Sequence, residues 1–236
     1  MDKKTKLLLE KGEMLPIMES FYTIQGEGFH KGTASYFIRT GGCDVGCHWC
    51  DVKESWVEND HPIIPIKEIV KKSLEFSDCV VVTGGEPLMW NMNPLTKELK
   101  KFNKKTHIET SGAYPLTGDW DWVCLSPKKA KLPIEDAYNY ADELKLIIYN
   151  NHVFIFAEEE AKKVNKNAIL FLQPEWGKRE KMMPLMVEFV KKNPKWKLSL
   201  LSLIHISEPT RPERSAFAVV CLKKKRGGGG GGGGGG

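Results

Sequence analysis

The sequence predicts an α/β fold built on a mostly parallel sheet. Three observations carry the prediction. Short apolar runs rich in β-branched and aromatic residues recur at 35–40, 79–83, 106–110, 122–126, 144–149, 168–173 and 196–200. Such composition and length favour strand over helix. Helical patterns lie between several of these runs, and polar clusters marked by glycine or proline follow them.

The first strand ends at Thr40 and leads through Gly41 and Gly42 into a cysteine-bearing loop. Pro65 then opens a helix, with Ile66, Ile69, Val70 and Leu74 at helical spacing and lysines on the opposite face. The second strand, 79–83, leads to a helix capped by Asn93 with Pro94 at its first position. Strands at 106–110, 122–126 and 144–149 follow, then a helix over 158–165. The strand at 168–173, a helix over 180–192 and the strand at 196–200 complete the series. Alternation of strand and helix implies parallel pairing with right-handed crossovers. The chain contains no internal repeat.

Length and charge depend on the last stretch. Residues 201–211, from Leu201 through Ser207, Glu208 and Pro209 to Arg211, read like the translation of a transposon-based sequencing adapter. Cys221 to Arg226 and the glycines 227–236 extend that reading into homopolymer sequence. The expected organisation is therefore one domain over 1–200, with 201–236 a translated artefact, disordered and no domain. Six basic and two acidic residues in that stretch carry four of the five net positive charges. What remains is nearly neutral and carries no nucleic-acid footprint. About 200 residues suffice for a sizeable core. No apolar run approaches the ~20 residues that cross a membrane. With no signal-peptide pattern and clustered cysteines, a cytoplasmic location is expected rather than a disulfide framework.

The chemistry starts at Cys43, Cys47 and Cys50, spaced C-x3-C-x2-C. Three thiolates hold three irons of a four-iron cluster and leave the fourth open to a small molecule. A closed iron–sulfur carrier wants four cysteines. A structural zinc wants four ligands, usually as two pairs, and His48 or Asp51 would have to complete it. Cys79 and Cys124 lie in apolar runs and read as small buried hydrophobes. Gly41, Gly42 and Gly46 let the loop wrap tightly and aim N–H groups at the sulfurs. Trp49 suits shielding of the cluster, contact with an adenine, or plain packing.

Each further motif falls where a predicted strand ends, the place at which ligands gather in such folds. Thr83, Gly84, Gly85, Glu86 and Pro87 let the backbone approach a ligand, with Glu86 placed to accept from an ammonium group. Glu109, Thr110 and Ser111 put a carboxylate and two hydroxyls on the same rim. Ser126, Pro127 and Lys128 follow the fourth strand, and Gln173, Pro174 and Glu175 the sixth. Upstream, Gln25 and Glu27 in the segment 20–28 suit one edge of a flat heterocycle. Arg39 suits a bidentate pair with a carboxylate, or an ordinary ion pair.

On these motifs the chain resembles the 7-carboxy-7-deazaguanine synthase family of radical S-adenosylmethionine (SAM) enzymes, over positions 15–200. The match rests on Phe21 to Gly28, the cysteine loop with Asp51 to Trp56, Thr83 to Pro87, Glu109 to Gly112, Ser126 to Lys128, and Leu172 to Glu175. The resemblance implies an incomplete β/α barrel, a homodimer, and a [4Fe-4S] cluster held by Cys43, Cys47 and Cys50. It implies SAM contacts from Trp49, Cys50, Asp51, Gly85, Ser126, Pro127, Lys128, Gln173, Pro174 and Glu175. It assigns Ile24, Gln25, Gly26, Arg39 and Thr83 to a pterin. The implied reaction converts 6-carboxy-5,6,7,8-tetrahydropterin into 7-carboxy-7-deazaguanine with loss of ammonia, in queuosine biosynthesis. A SAM-derived radical takes the C6 hydrogen and later returns it. Glu109 is the candidate for proton transfer, and a flavodoxin or ferredoxin is the implied reductant.

Two departures accompany the resemblance. The family often carries Thr or Ser after the Cys-Asp pair, whose oxygen helps hold Mg2+, whereas Val52 offers no side-chain oxygen, so a weaker magnesium dependence than in Thr-bearing relatives is expected. The family's chain also continues past the last strand to close the pterin site. The competing readings are a glycyl-radical-activating enzyme, which shares the cysteine spacing, and a non-catalytic zinc or iron–sulfur binding module.

Overall fold

The computed structural model describes residues 2–200. The adapter reading of 201–236 lies outside the described residues. Helix α1 (Lys3–Glu10) precedes a hairpin of β1 (Met14–Ile24) and β2 (Ala34–Thr40). After the cysteine loop come β3 (Ile63–Pro65), α2 (Ile66–Ser73), β4 (Cys79–Gly84), α3 (Asn93–Lys101) and β5 (Lys105–Thr110). Then follow β6 (Trp122–Leu125), β7 (Glu143–Ile148), α4 (His152–Ala161), β8 (Ile169–Pro174), α5 (Arg179–Lys192) and β9 (Trp196–Leu198).

All strands join one sheet in the order β3-β1-β2-β4-β5-β6-β7-β8-β9. From β2 to β9 every ladder is parallel, and only β1 against β2 and β3 is antiparallel. The sheet is the open, partial β/α barrel expected. The seven strands expected from periodicity are β2 and β4 to β9. α1, β1 and β3 were not anticipated: β1 holds Pro16 and a register break between Ile17 and Glu19, which spoil its alternation.

Side chains alternate across a strand, so each strand feeds two environments. One face carries Ile38, Val80, Val82, Ile108, Val123, Leu144, Leu146 and Leu172, all buried. Ile66, Ile69 and Val70 of α2, Leu95 and Leu99 of α3, Val153 and Phe156 of α4, and Met182 and Met186 of α5 complete that core. The other face carries Arg39, Thr83, Glu109, Cys124, Lys145 and Gln173. Near its base it holds the stacked pair Phe21 and Phe37, 5.4 Å apart. A helix-covered apolar face and a polar inner face determine where the site lies.

Two local expectations are corrected. Asn93 does not cap α3: Met92 holds the cap position, and Asn93 Oδ1 accepts from the Gly118 N–H at 2.8 Å. The helix expected over 158–165 is α4, begun at His152 and ended at Ala161, because Val153, Phe156, Ala157 and Glu160 form its buried face. No helix among the described residues is long and apolar enough to cross a membrane.

Candidate functional site

The cysteine loop is positioned by backbone pairing. Gly41 N–H donates to the Pro16 carbonyl at 2.9 Å, Gly42 N–H to Ser55 at 2.7 Å and Cys43 N–H to Trp56 at 3.0 Å. These donors therefore brace the loop rather than face the sulfurs. The glycine pair after β4 also has a different partner from the one expected. Glu86 N–H donates to the Gly42 carbonyl at 2.8 Å, and a Cβ on Gly85 would stand 2.2 Å from that oxygen and 2.8 Å from Cys43 Cβ. The close approach that requires glycine here is to the cysteine loop itself.

Glu86 is likewise occupied by its own chain. It is 1% exposed and accepts from Leu88 N–H at 3.0 Å, Thr110 hydroxyl at 2.6 Å, Ser111 N–H at 2.8 Å and the Ser111 hydroxyl. A carboxylate with four donors has no lone pair left for a ligand ammonium, so Glu86 joins the ends of β4 and β5 instead. A second brace is Asp44, whose Oδ2 accepts from Tyr114 at 2.5 Å and Lys131 at 2.7 Å.

Above the polar face lies a cavity of about 170 Å3. Cys43, Cys47 and Cys50 share its wall with Trp49 and Asp51. Arg39, Thr83 and Glu109 also line it, and the ends of β6 and β8 add Ser126, Lys128, Gln173, Pro174 and Glu175. Lys128 Nζ sits 5.5 Å from the Trp49 ring and donates to Ser126 O at 2.7 Å and Ser126 Oγ at 2.6 Å. Burial pushes the Lys128 ammonium below its ordinary value. Arg39 is 1% exposed and is paired through Nε with Glu19 at 2.7 Å.

Deeper in the cavity, charges are packed closely. Lys145 Nζ lies 2.6 Å from Glu27 Oε2 and 3.4 Å from Glu109 Oε2. Gln25 Nε2 donates to Glu109 Oε1 at 3.0 Å, while Gln25 Oε1 accepts from Glu27 N–H at 3.1 Å. Burial pushes the Glu27 carboxyl up, against the pull of Lys145. Burial also acts on Glu109, but Lys145 and the Gln25 amide outweigh it and leave Glu109 below its ordinary value.

Most of the residues singled out in the sequence meet at this cavity. Gln25 reaches it through Glu109 and lines a smaller adjoining pocket. Pro127 lines a separate pocket behind Trp49. Ile24 is 45% exposed, and Gly26 has open space where a side chain would stand; neither is on the cavity wall. Sequence reasoning missed Lys145 and Ile147. Their signal was alternation: Glu143, Lys145 and Ile147 share the inner face of β7, and two charges recurring every second residue in an apolar run mark a polar interior.

The sequence profile of the radical SAM superfamily matches residues 37–125. The 7-carboxy-7-deazaguanine synthase of Flavobacterium psychrophilum is 62% identical over 207 residues, covering 88% of this chain and 99% of that protein. This chain belongs to the 7-carboxy-7-deazaguanine synthase family. The synthase of Synechocystis sp. is 46% identical, with 78% of this chain and 89% of that protein covered. Among solved structures, QueE from Escherichia coli matches with a TM-score of 0.71 and 27% identity, covering 85% of this chain and 99% of that one.

Membership of this synthase family, and of the radical SAM superfamily, brings a [4Fe-4S] cluster and SAM. The donor set fits: three sulfurs on one wall, no fourth cysteine in the loop, and a cavity beside them. Burial raises the free Cys43 thiol to about 11 and pushes Cys47 up, so metal charge is what would hold them as thiolates. Among the described residues no three His, Cys, Asp or Glu side chains group closely enough to hold a single metal ion. The fit to Mg2+ is poor at Val52. It is 5% exposed, and its carbonyl already accepts Ser55 Oγ at 2.7 Å and Ser55 N at 3.1 Å.

Proposed function

We infer that this chain converts 6-carboxy-5,6,7,8-tetrahydropterin into 7-carboxy-7-deazaguanine with loss of ammonia, as a radical SAM lyase supplying queuosine-type 7-deazapurines. The observation that carries the reading is one cavity lined by the three loop cysteines together with the buried Arg39 and the Glu109 carboxylate. When bound, the cluster and SAM supply one-electron chemistry that ends in removal of a substrate hydrogen atom.

Everything else falls to the protein. Cys43, Cys47 and Cys50 hold the cluster. Trp49, Asp51, Gly85, Ser126, Lys128 and the Gln173, Pro174, Glu175 turn lie where SAM contacts are needed, with Cys50 and Pro127 at their margins. Arg39 and Thr83 face the pterin, and Arg39 offers its guanidinium to the C6 carboxylate. Gln25 acts through Glu109, while Ile24 and Gly26 shape the strand end above it. Glu109 is ionised and placed to take a proton. The cavity orients the substrate, and its lining keeps competing hydrogen donors out.

The finer readings belong to the same proposal: a cytoplasmic homodimer, reduced by a flavodoxin or ferredoxin, with no direct nucleic-acid or membrane partner and a weaker magnesium dependence than in relatives that bear Thr at the position of Val52. Residues 1–200 form the catalytic domain, and 201–236 are translated adapter. Resequencing the locus tests the last point, since an uninterrupted genomic frame through the tail refutes it. Anaerobic reconstitution, followed by incubation with the carboxytetrahydropterin, SAM and a reductant, tests the activity. The expected product is the carboxydeazaguanine. A reconstituted protein, carrying the C-terminus read from the resequenced locus, that cleaves SAM but never forms that product sinks the reading.

A further inference from the structure

Lys145 is the one buried ammonium of the cavity that the reaction as described does not use. It is 4% exposed and lies on the inner face of β7. Glu27 reaches it from the segment after β1, and Glu109 from β5. The groups around the trio are Glu143, the Cys124 thiol, His107 and His30 on the side of the adjoining pocket, and Arg39, Asp51 and Lys128 on the cavity side. Glu143 is committed elsewhere, since it accepts from Phe29 N–H at 3.0 Å and Cys124 Sγ at 3.6 Å. Lys145 is therefore the nearest countercharge for both carboxylates.

We propose that Lys145 is a positioning residue for the pterin, holding Glu27 and Glu109 together as hydrogen-bond acceptors for the 2-amino and N3–H edge of the substrate. The inference rests on the functional reading above. Its physical core is a donor–acceptor count. A pterin presents adjacent N–H donors along that edge, and carboxylates accept from them well only while ionised. Two buried carboxylates this close do not both stay ionised alone, because like charges at short range in a low dielectric drive one to bind a proton. The protonated one then offers an O–H toward the N–H of the pterin, and donor meets donor. An ammonium between them removes the conflict. Gln25 fixes the geometry from the other side, with its amide on Glu109 and its carbonyl on the Glu27 backbone.

The test compares the reconstituted wild type with Lys145→Met, Lys145→Arg and the double variant Lys145→Met with Glu27→Gln, with turnover of the carboxytetrahydropterin measured from about pH 6 to about pH 9. Lys145→Met is expected to raise KM by about tenfold or more at neutral pH, with kcat changed less. That KM should fall as pH rises, because the shared proton leaves the carboxylate pair. Lys145→Arg should restore much of the loss. The double variant removes the charge conflict itself, so its KM should lie closer to wild type and lose its pH slope, and it keeps the question open to measurement if Lys145→Met does not fold. An unchanged KM, or one raised by the same factor at every pH, overturns the proposal while wild-type turnover keeps the functional reading standing. All proteins compared carry the C-terminus read from the resequenced locus, and no product from that wild type overturns both.

Discussion

The ammonium of Lys131 sits 2.7 Å from the carboxylate of Asp44 and ties the cysteine loop to the turn after β6. Tyr114 donates to the same carboxylate and takes a hydrogen bond from Lys131 at 2.9 Å. The trio bridges three segments far apart in sequence. As a partly exposed network it contributes at most about 1 kcal/mol to the fold, but it constrains the residue next to Cys43. Asp44→Ala is expected to leave Tm nearly unchanged and to speed cluster loss several-fold under a chelator. Iron retention equal to wild type would refute a role for the trio in the loop.

Gly85→Ala should act more strongly. Its Cβ would overlap the Gly42 carbonyl and Cys43 Cβ, and that carbonyl is backbone, which cannot swing aside as the end of a flexible side chain would. Overpacking of this kind costs about 1–3 kcal/mol. Lower Tm and substoichiometric iron after reconstitution are the expected readings, with Gly46→Ala, whose added Cβ meets nothing within 4 Å but sits at φ +70°, as the milder comparison.

Glu86→Gln exchanges an acceptor for a group that also donates. The amide NH2 would face a backbone N–H, of Leu88 or of Ser111, that now has no partner, while the neighbouring hydroxyl can turn to accept from it. The cost of such buried unsatisfied donors is about 1–3 kcal/mol, and chemical denaturation should show it as a lower midpoint.

Magnesium dependence follows from Val52. Turnover of the wild type should respond weakly to added Mg2+, and Val52→Thr should introduce a stronger response by supplying a hydroxyl. Identical magnesium titrations for the two proteins would contradict that reading.

Acid stability has an identifiable contributor in Asp121. Burial acts to raise its carboxyl, but Lys100 at 2.8 Å and Thr106 N–H at 2.8 Å outweigh it and hold Asp121 below its ordinary value of 3.8. A depressed carboxylate stabilises the fold above its unfolded value and loses that contribution as pH falls through the folded one. The pair is partly exposed, so the effect stays below about 1 kcal/mol. Asp121→Asn should flatten the stability–pH curve below pH ~4 and leave its shape at neutral pH unchanged.

Much of this architecture was legible because it is local. β4 reads Cys79 to Thr83 with four of its residues β-branched and the fifth apolar, and no other element suits it. The β1 hairpin was hidden by Pro16 and a bulge, and the first half of α4 by the aromatic run Val153 to Phe156, which resembles a strand until its buried face is seen. The glycines after β4 were correctly singled out, but their partner proved to be the cysteine loop, since close approach can be inferred from residue type whereas its object cannot.

The sequence by itself determined the seven parallel strands, the trio of cysteines, and the polar clusters at strand ends, because periodicity and spacing are properties of neighbours. Only the tertiary structure decided that Glu86 is consumed by its own chain and that Lys145 stands between Glu27 and Glu109. Lys145 and Glu27 lie 118 positions apart. Their meeting is set by sheet order and register, and the energy of a buried charge depends on which charges that register brings beside it.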